Sequence, residues 1–187
     1  MSATLSLQWS GMTPRDLANR AKSITGGYAK VGILQSTNAR DNSNLAPGST
    51  GIDAGNADVG YANEFGSRTG YTAIDARTGK KIHGAKIPER SFLRMPLMDH
   101  LEDKAALIGA GVRSALVGDD TPKGATDALG IAAVSTVREA FDTNGFGQWE
   151  ENSRATIAFK GGQADPLIAT GQLRDSITSQ TVQGALP

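Results

Sequence analysis

Cysteine is absent from this chain of 187 residues. That excludes a disulfide framework and any metal site built on thiolates. Histidine occurs only twice, at His83 and His100. With no other histidine and no thiol beside it, neither can build a zinc site. Aromatic residues are scarce at 5%, and glycine is frequent at 23 residues. The pairing points to a modest core joined by long loops. No charge of one sign dominates, because 19 Lys and Arg balance 19 Asp and Glu. A neutral chain has no global pull toward nucleic acid or a membrane surface. No apolar run approaches the roughly 18 residues needed to span a bilayer. The segment "MSATLSLQWSGM" lacks the basic start and apolar stretch of a secretory leader. The expectation is one soluble domain over residues 1–187, made in the cytoplasm, with no membrane partner.

Motifs that carry chemistry are also missing. There is no G-x-S-x-G for a serine nucleophile on a strained turn. The glycines of "GAGVRSAL" at residues 109–116 lie inside a helical pattern and lack the lysine of a phosphate loop. "RTGKK" has a Gly-Lys pair without the earlier glycine. Asp99, Glu102 and Asp103 read as the solvated face of a helix. Asp119 and Asp120 read as acids at a helix start, where the dipole favours them. No catalytic residue, metal ligand or cofactor site is assigned.

What is present is organised. Leu5, Leu7 and Trp9 alternate as a short first strand would. Thr13 as N-cap, Pro14 at the first helical position and Asp16 at N3 start a helix that Gly26 and Gly27 stop. A strand follows at residues 28–34. Residues 35–58 have almost pure loop composition and are expected to be a mobile loop. "VGYANEFG" predicts one or two helical turns with Tyr61 and Phe65 on one side. Residues 67–86 read as a β-hairpin excursion, with arms at 71–76 and 80–83 around Thr78 and Gly79. Apolar positions from Leu97 to Leu116 recur at helical spacing and predict one helix of about five turns from near Met95. Thr121 and Pro122 open a second helix. Leu129, Ala133, Val137, Ala140 and Phe141 share one face of it, while Ile131 and Val134 lie elsewhere, so two covered sides are expected. Asn144 and Gly145 end it. The tail reads as mostly loop, with a helical turn capped by Thr170 and a strand at 177–182.

This order lacks the strand–helix–strand alternation of a parallel sheet. It predicts an α+β fold: a small, mainly antiparallel sheet with two longer helices packed on one face, plus an extended β-hairpin and long loops. Basic residues concentrate on and beside the hairpin: Arg77, Lys80, Lys81, Lys86, Arg90 and Arg94. Such a cluster is either a solvated tip or a positive finger for an acidic partner or a phosphate backbone.

Four segments, "YAKVGILQSTNAR", "VGYANEFGS", "IPERSFLR" and "TIAFKGGQADPLIATGQLRDSITSQTV", stand in an order that resembles tailed-phage tail completion or head–tail joining proteins, the virion morphogenesis proteins of the neck. They cover about half of the chain, and "IPERSFLR" and "PLIATGQLRDSI" are the most specific. The resemblance implies a structural protein of the virion with no enzymatic activity. It implies a homohexameric ring whose partners are copies of itself, a head-closure or adaptor protein, and a tail terminator or tail tube protein. It places the subunit or partner interface at Arg90, Phe92, Arg94, Glu64, Phe65 and Arg174. Of these, Arg90 and Arg94 are expected mainly at the interface, and Phe92, with Leu93, mainly in the core. Arg77, Lys80 and Lys81 form a basic tip facing a partner or, non-specifically, packaged DNA. Three alternatives stand beside it: another connector role, as head-closure stopper or tail terminator; a small metal-dependent hydrolase or nuclease using the acidic clusters; and a plain nucleic-acid-binding module using the basic hairpin.

Overall fold

The structure, a computed structural model, describes residues 12–41, 55–67, 71–74, 81–85 and 87–184. The strand expected around Leu5, Leu7 and Trp9 lies outside them. The first described helix, α1 (Pro14–Thr25), starts as its sequence dictates. Thr13 Oγ1 accepts from Asp16 N, and Asp16 Oδ2 accepts from Thr13 N, a closed capping box with proline at the first helical position. The chain then enters β1 (Gly27–Ile33). This strand pairs antiparallel with the last one, β4 (Ile177–Gln183), with Ile33 opposite Ile177 and Gly27 opposite Gln183.

Between these strands lie α2 (Asn56–Phe65), the hairpin strands β2 (Tyr71–Ile74) and β3 (Lys81–Ala85), α3 (Arg94–Asp99), α4 (Ala105–Val117), α5 (Pro122–Asp142), α6 (Arg154–Phe159) and α7 (Gln172–Asp175). The architecture is α+β, with a small antiparallel sheet and several helices. Helix α5 is its spine. Thr121 caps it by accepting from Gly124 N, with Pro122 at the first position. Its buried Ala125, Ala132, Ala133 and Ala140 are small enough to let neighbours approach closely. Both strands of the β1–β4 sheet pack on one side of α5, and α4 packs along another. The expected two covered sides of α5 are present, although Ile131 itself stands 60% exposed.

The core gathers Phe92 with Val137, Ala140 and Phe141 of α5, Trp149 and Leu173 of the tail, and Ile177 of β4. Phe92 and Phe141 have ring centroids 5.4 Å apart, and Trp149 meets Phe141 edge-on at 5.7 Å. Such pairs add roughly 0.5–1.5 kcal/mol beyond the area they bury. Few aromatics are present, and among the described residues those that are buried, Phe92, Phe141 and Trp149, concentrate at one place.

Four expectations need correction. The single long helix from Met95 is two helices, α3 and α4, joined by a 3-10 turn at Leu101–Lys104. The break coincides with a tertiary contact: the His100 ring stacks on Phe146 at 3.7 Å between centroids, while its Nδ1 meets Asp103 three residues on. Apolar spacing cannot register that contact. The loop at 35–58 is structured at both ends. Gln35–Thr37 forms a 3-10 turn and α2 begins at Asn56, tied by Asn38 Oδ1 accepting from Ala57 N. Residues 42–54 of that loop lie outside the described residues. The tail contains α6, which its loop-like composition concealed. Thr170 does not cap α7, whose N-cap is Gly171 in a left-handed conformation. Among the described residues, no helix is long and apolar enough to cross a membrane.

One tie between α5 and β4 is acid-sensitive. Asp127 accepts from Lys123 Nζ and from Thr181 Oγ1. These bonds, first that from Lys123 and then that from Thr181, hold its carboxyl below the usual range. A carboxylate lowered on folding contributes stability above its unfolded value, near pH 4, and loses it as pH falls through the lower folded value. Asp127→Asn is therefore expected to flatten the fall in stability between about pH 5 and 2. Urea melts at closely spaced pH values check this. An unchanged slope would show that Asp127 pairs without consequence.

Candidate interaction surface

The segments "YANEFG" and "IPERSFLR" fold onto each other through one carboxylate. Glu64 is 4% exposed. Its Oε2 accepts from the backbone N of Phe92 at 2.8 Å and of Leu93 at 2.9 Å. Its Oε1 accepts from Ser91 Oγ, Arg94 N and Arg94 Nε. A carboxylate from α2 thus occupies the N-terminal end of α3, where backbone N–H groups have no partner within the helix. Ser91 completes the start by accepting from Met95 N.

Helix α2 can sit this close because of its glycines. A Cβ on Gly60 would lie 2.7 Å from Ile33 Cδ1 and 3.3 Å from the Phe92 ring. Gly66 ends the helix at φ +66, and a Cβ there would lie 2.9 Å from both Glu89 N and Ile87 O. Backbone bonds from Ser67 N to Ile87 O and from Arg90 N to Asn63 O close the seam. The same bonds close the base of the hairpin. Its strands pair as expected, Tyr71 opposite Ala85 and Ile74 opposite Lys81. The turn with Arg77 and Lys80 lies outside the described residues, and the backbone places Lys81 at the start of β3.

Three of the six residues named for the interface are turned inward. Phe92 is 2% exposed and belongs to the core, as expected of it. Glu64 is the hub just described. Arg90 is 6% exposed, and its Nε and Nη2 donate to Glu150 O at 2.9 and 2.8 Å, with Nη2 also reaching Glu151 O and Asn152 Oδ1. Burial pulls its guanidinium below the usual arginine range. Pro88 and Phe92 flank Arg90 closely in sequence, and the fold that buries Phe92 carries Arg90 in with it. These side chains position the surface and do not form it.

The other three remain accessible. Phe65 is 48% exposed and packs at 4.8 Å between ring centroids against Tyr61, itself 70% exposed. The Arg94 guanidinium lies 4.6 Å over the Phe65 ring. Arg94 is half exposed and anchored by Glu64 and by Glu89 Oε1 at 2.9 Å. Its hydrogen bond to Glu64 is the main reason its pKa is raised. One turn on from Arg94, Met98 is the most exposed large apolar side chain among those described, at 82%. An aromatic pair, a fixed guanidinium and a methionine thus stand on the surface above the Glu64 hub. Arg174 sits elsewhere, in a bidentate pair with Asp142, which raises its pKa.

No group of three or more His, Asp or Glu side chains among the described residues is placed to hold a metal ion. Of the acids weighed for chemistry, Asp103 pairs with His100 and Asp120 accepts from Thr121 N. Sequence reading missed the buried Asn56, whose amide donates to Thr37 O and Ala39 O and accepts from Arg40. It sits in a tract of Gly, Asn and Asp that reads as loop, and nothing local marks it. Comparison with protein-family models, curated proteins and solved structures found no match to the chain.

Proposed function

We propose that this chain is a structural protein of a tailed-phage neck, a tail completion or head–tail joining subunit that works as a homohexameric ring. Its neighbours are a head-closure or adaptor protein on one side and a tail terminator or tail tube protein on the other. The observation that carries this reading is the patch of Tyr61, Phe65, Arg94 and Met98. It is exposed, it has the aromatic, arginine and methionine composition of protein interfaces, and it is held by internal bonds before any partner arrives. Fixing the Arg94 guanidinium in advance removes the cost of ordering that side chain on docking. The patch also stands where two of the segments that carry the family resemblance meet. A ring beyond a dimer requires two different self-facing surfaces, and a preformed patch on one side suits that geometry.

The test leaves the Glu64 hub untouched. The double substitution Tyr61→Ala with Phe65→Ser is expected to change stability by about 1 kcal/mol, because the Tyr61 ring is mostly solvated, the Phe65 ring is about half so, and neither belongs to the core. In complementation of a phage lacking the gene, it is expected to yield filled heads and finished tails that do not join. Full infectivity from folded double variant would reject the patch as an interface.

A further inference from the structure

A second feature lies on the other side of α2. Val59 and Asn63, one turn apart, line a cleft of about 350 Å³ between α2, the segment before Phe92, and the tail that carries α6 and α7. Three cations line it, Arg40, Arg90 and Lys160, against two carboxylates, Glu150 and Glu151. The formal balance is one positive charge.

Two of these cations keep N–H groups without a protein partner among the described residues. Arg90 is more than nine-tenths buried. Its Nε and Nη2 are engaged by the backbone at Glu150 and Glu151, while Nη1 donates to nothing among the described residues. Lys160 Nζ donates to Asp165 O at 2.6 Å, leaving two of its three protons. No carboxylate is in ion-pair contact with either cation among the described residues. Burial first, then the charge of Arg90, lowers the Lys160 pKa. Two like charges held beside one cleft are a cost that an anion between them would relieve. Val59, Ile87, Pro88, Leu167 and Leu173 supply apolar walls beside the charged groups.

We propose that this cleft is a receptor for one carboxylate of an extended peptide, held between Arg90 and Lys160, with a neighbouring apolar side chain against the wall. A single carboxylate matches the single excess charge. A nucleic-acid backbone fits less well, since its successive phosphates would run past the exposed Glu150 and Glu151. The volume suits two or three side chains and falls at the small end of ligand sites. The carboxylate can come from a chain terminus or from an acidic side chain. The site stands whether or not the chain works in a phage neck.

The experiment is an NMR titration of isotope-labelled full-length protein, observing the Arg90 side-chain N–H groups and the Lys160 methylene next to Nζ. The probes are acetate, acetyl-Leu-Ala with a free terminus, acetyl-Leu-Asp-amide, and inorganic phosphate. Both peptides are expected to saturate the Arg90 and Lys160 signals at lower concentration than acetate. Tighter binding of the first assigns the site to a chain terminus, and of the second to an acidic side chain. The Lys160 pKa is expected to rise on binding. Lys160→Gln, which keeps a donor and a similar length, is expected to weaken the better peptide about tenfold, and Arg40→Gln less. Shifts spread evenly over lysines outside the cleft, phosphate binding more tightly than both peptides, or an unweakened Lys160→Gln would each overturn the proposal.

Discussion

Glu64→Ala is expected to remove about 3–5 kcal/mol of stability, the range for breaking a buried charged contact by deleting one partner. For a chain of this size that corresponds to a fall in Tm on the order of 10 °C. The size follows from what is left behind. Glu64 accepts from three backbone N–H groups, at Phe92, Leu93 and Arg94, and from two side chains. Alanine offers none of these bonds and leaves the buried Phe92 amide without a partner. Glu64→Gln tests charge apart from volume. Its one oxygen can still accept, but its NH₂ would face donors, and about 2 kcal/mol is expected. Glu89→Ala is the control. Glu89 also pairs with Arg94, but it is solvated and should matter by less than about 1 kcal/mol. Urea midpoints at constant m measure all three. A Glu64→Ala loss under about 1 kcal/mol would mean that water replaces the carboxylate without penalty, and the hub would have no energetic standing.

How far the fold could be read from the chain depended on how local its causes are. Thr13, Pro14 and Asp16 announce α1, and Thr121 and Pro122 announce α5, because caps are decided within four residues. The α+β class followed from the order of such elements. The positions of Tyr61 and Phe65 on one side of α2 followed from helical spacing alone. Causes that span the chain were invisible. A helix breaks at His100, where Phe146 stacks on it, and α2 begins early because Asn38 and Arg40, far upstream, hold its first turn. Of the side chains singled out in "YANEFG" and "IPERSFLR", Phe65 and Arg94 face out, while Glu64 and Arg90 do not. Both arginines of "IPERSFLR" are expected from the sequence mainly at an interface. Arg94 is half exposed, but Arg90 finds three acceptors in a tail sixty residues away, and no spacing rule links them.

Arg90→Ala is the substitution that separates those two roles. An arginine that served only a partner would change stability by less than about 0.5 kcal/mol when truncated. Here the expected loss is about 2–3 kcal/mol, because charge-assisted bonds to the Glu150 and Glu151 carbonyls vanish together with the packing of a buried stem. Arg90→Lys should recover only part of it. An ammonium is one point of charge and cannot reproduce the fork by which Nε and Nη2 share Glu150 O. A second readout rules out a general loosening of the fold. The Lys160 pKa is lowered by burial and by the charge of Arg90. Removing Arg90 takes away the second cause, so the pKa should rise toward the ordinary lysine value; in Arg90→Lys the like charge stays and the rise should be smaller. The sign for stability is fixed as well. A lysine whose pKa falls on folding imposes its penalty fully below the folded value and releases it as pH climbs through to the unfolded one. Wild type should therefore gain stability on the approach to pH 10, and Arg90→Ala should gain less. Wild-type stability in Arg90→Ala, with Lys160 unmoved, would return Arg90 to the surface and make it an interface arginine after all.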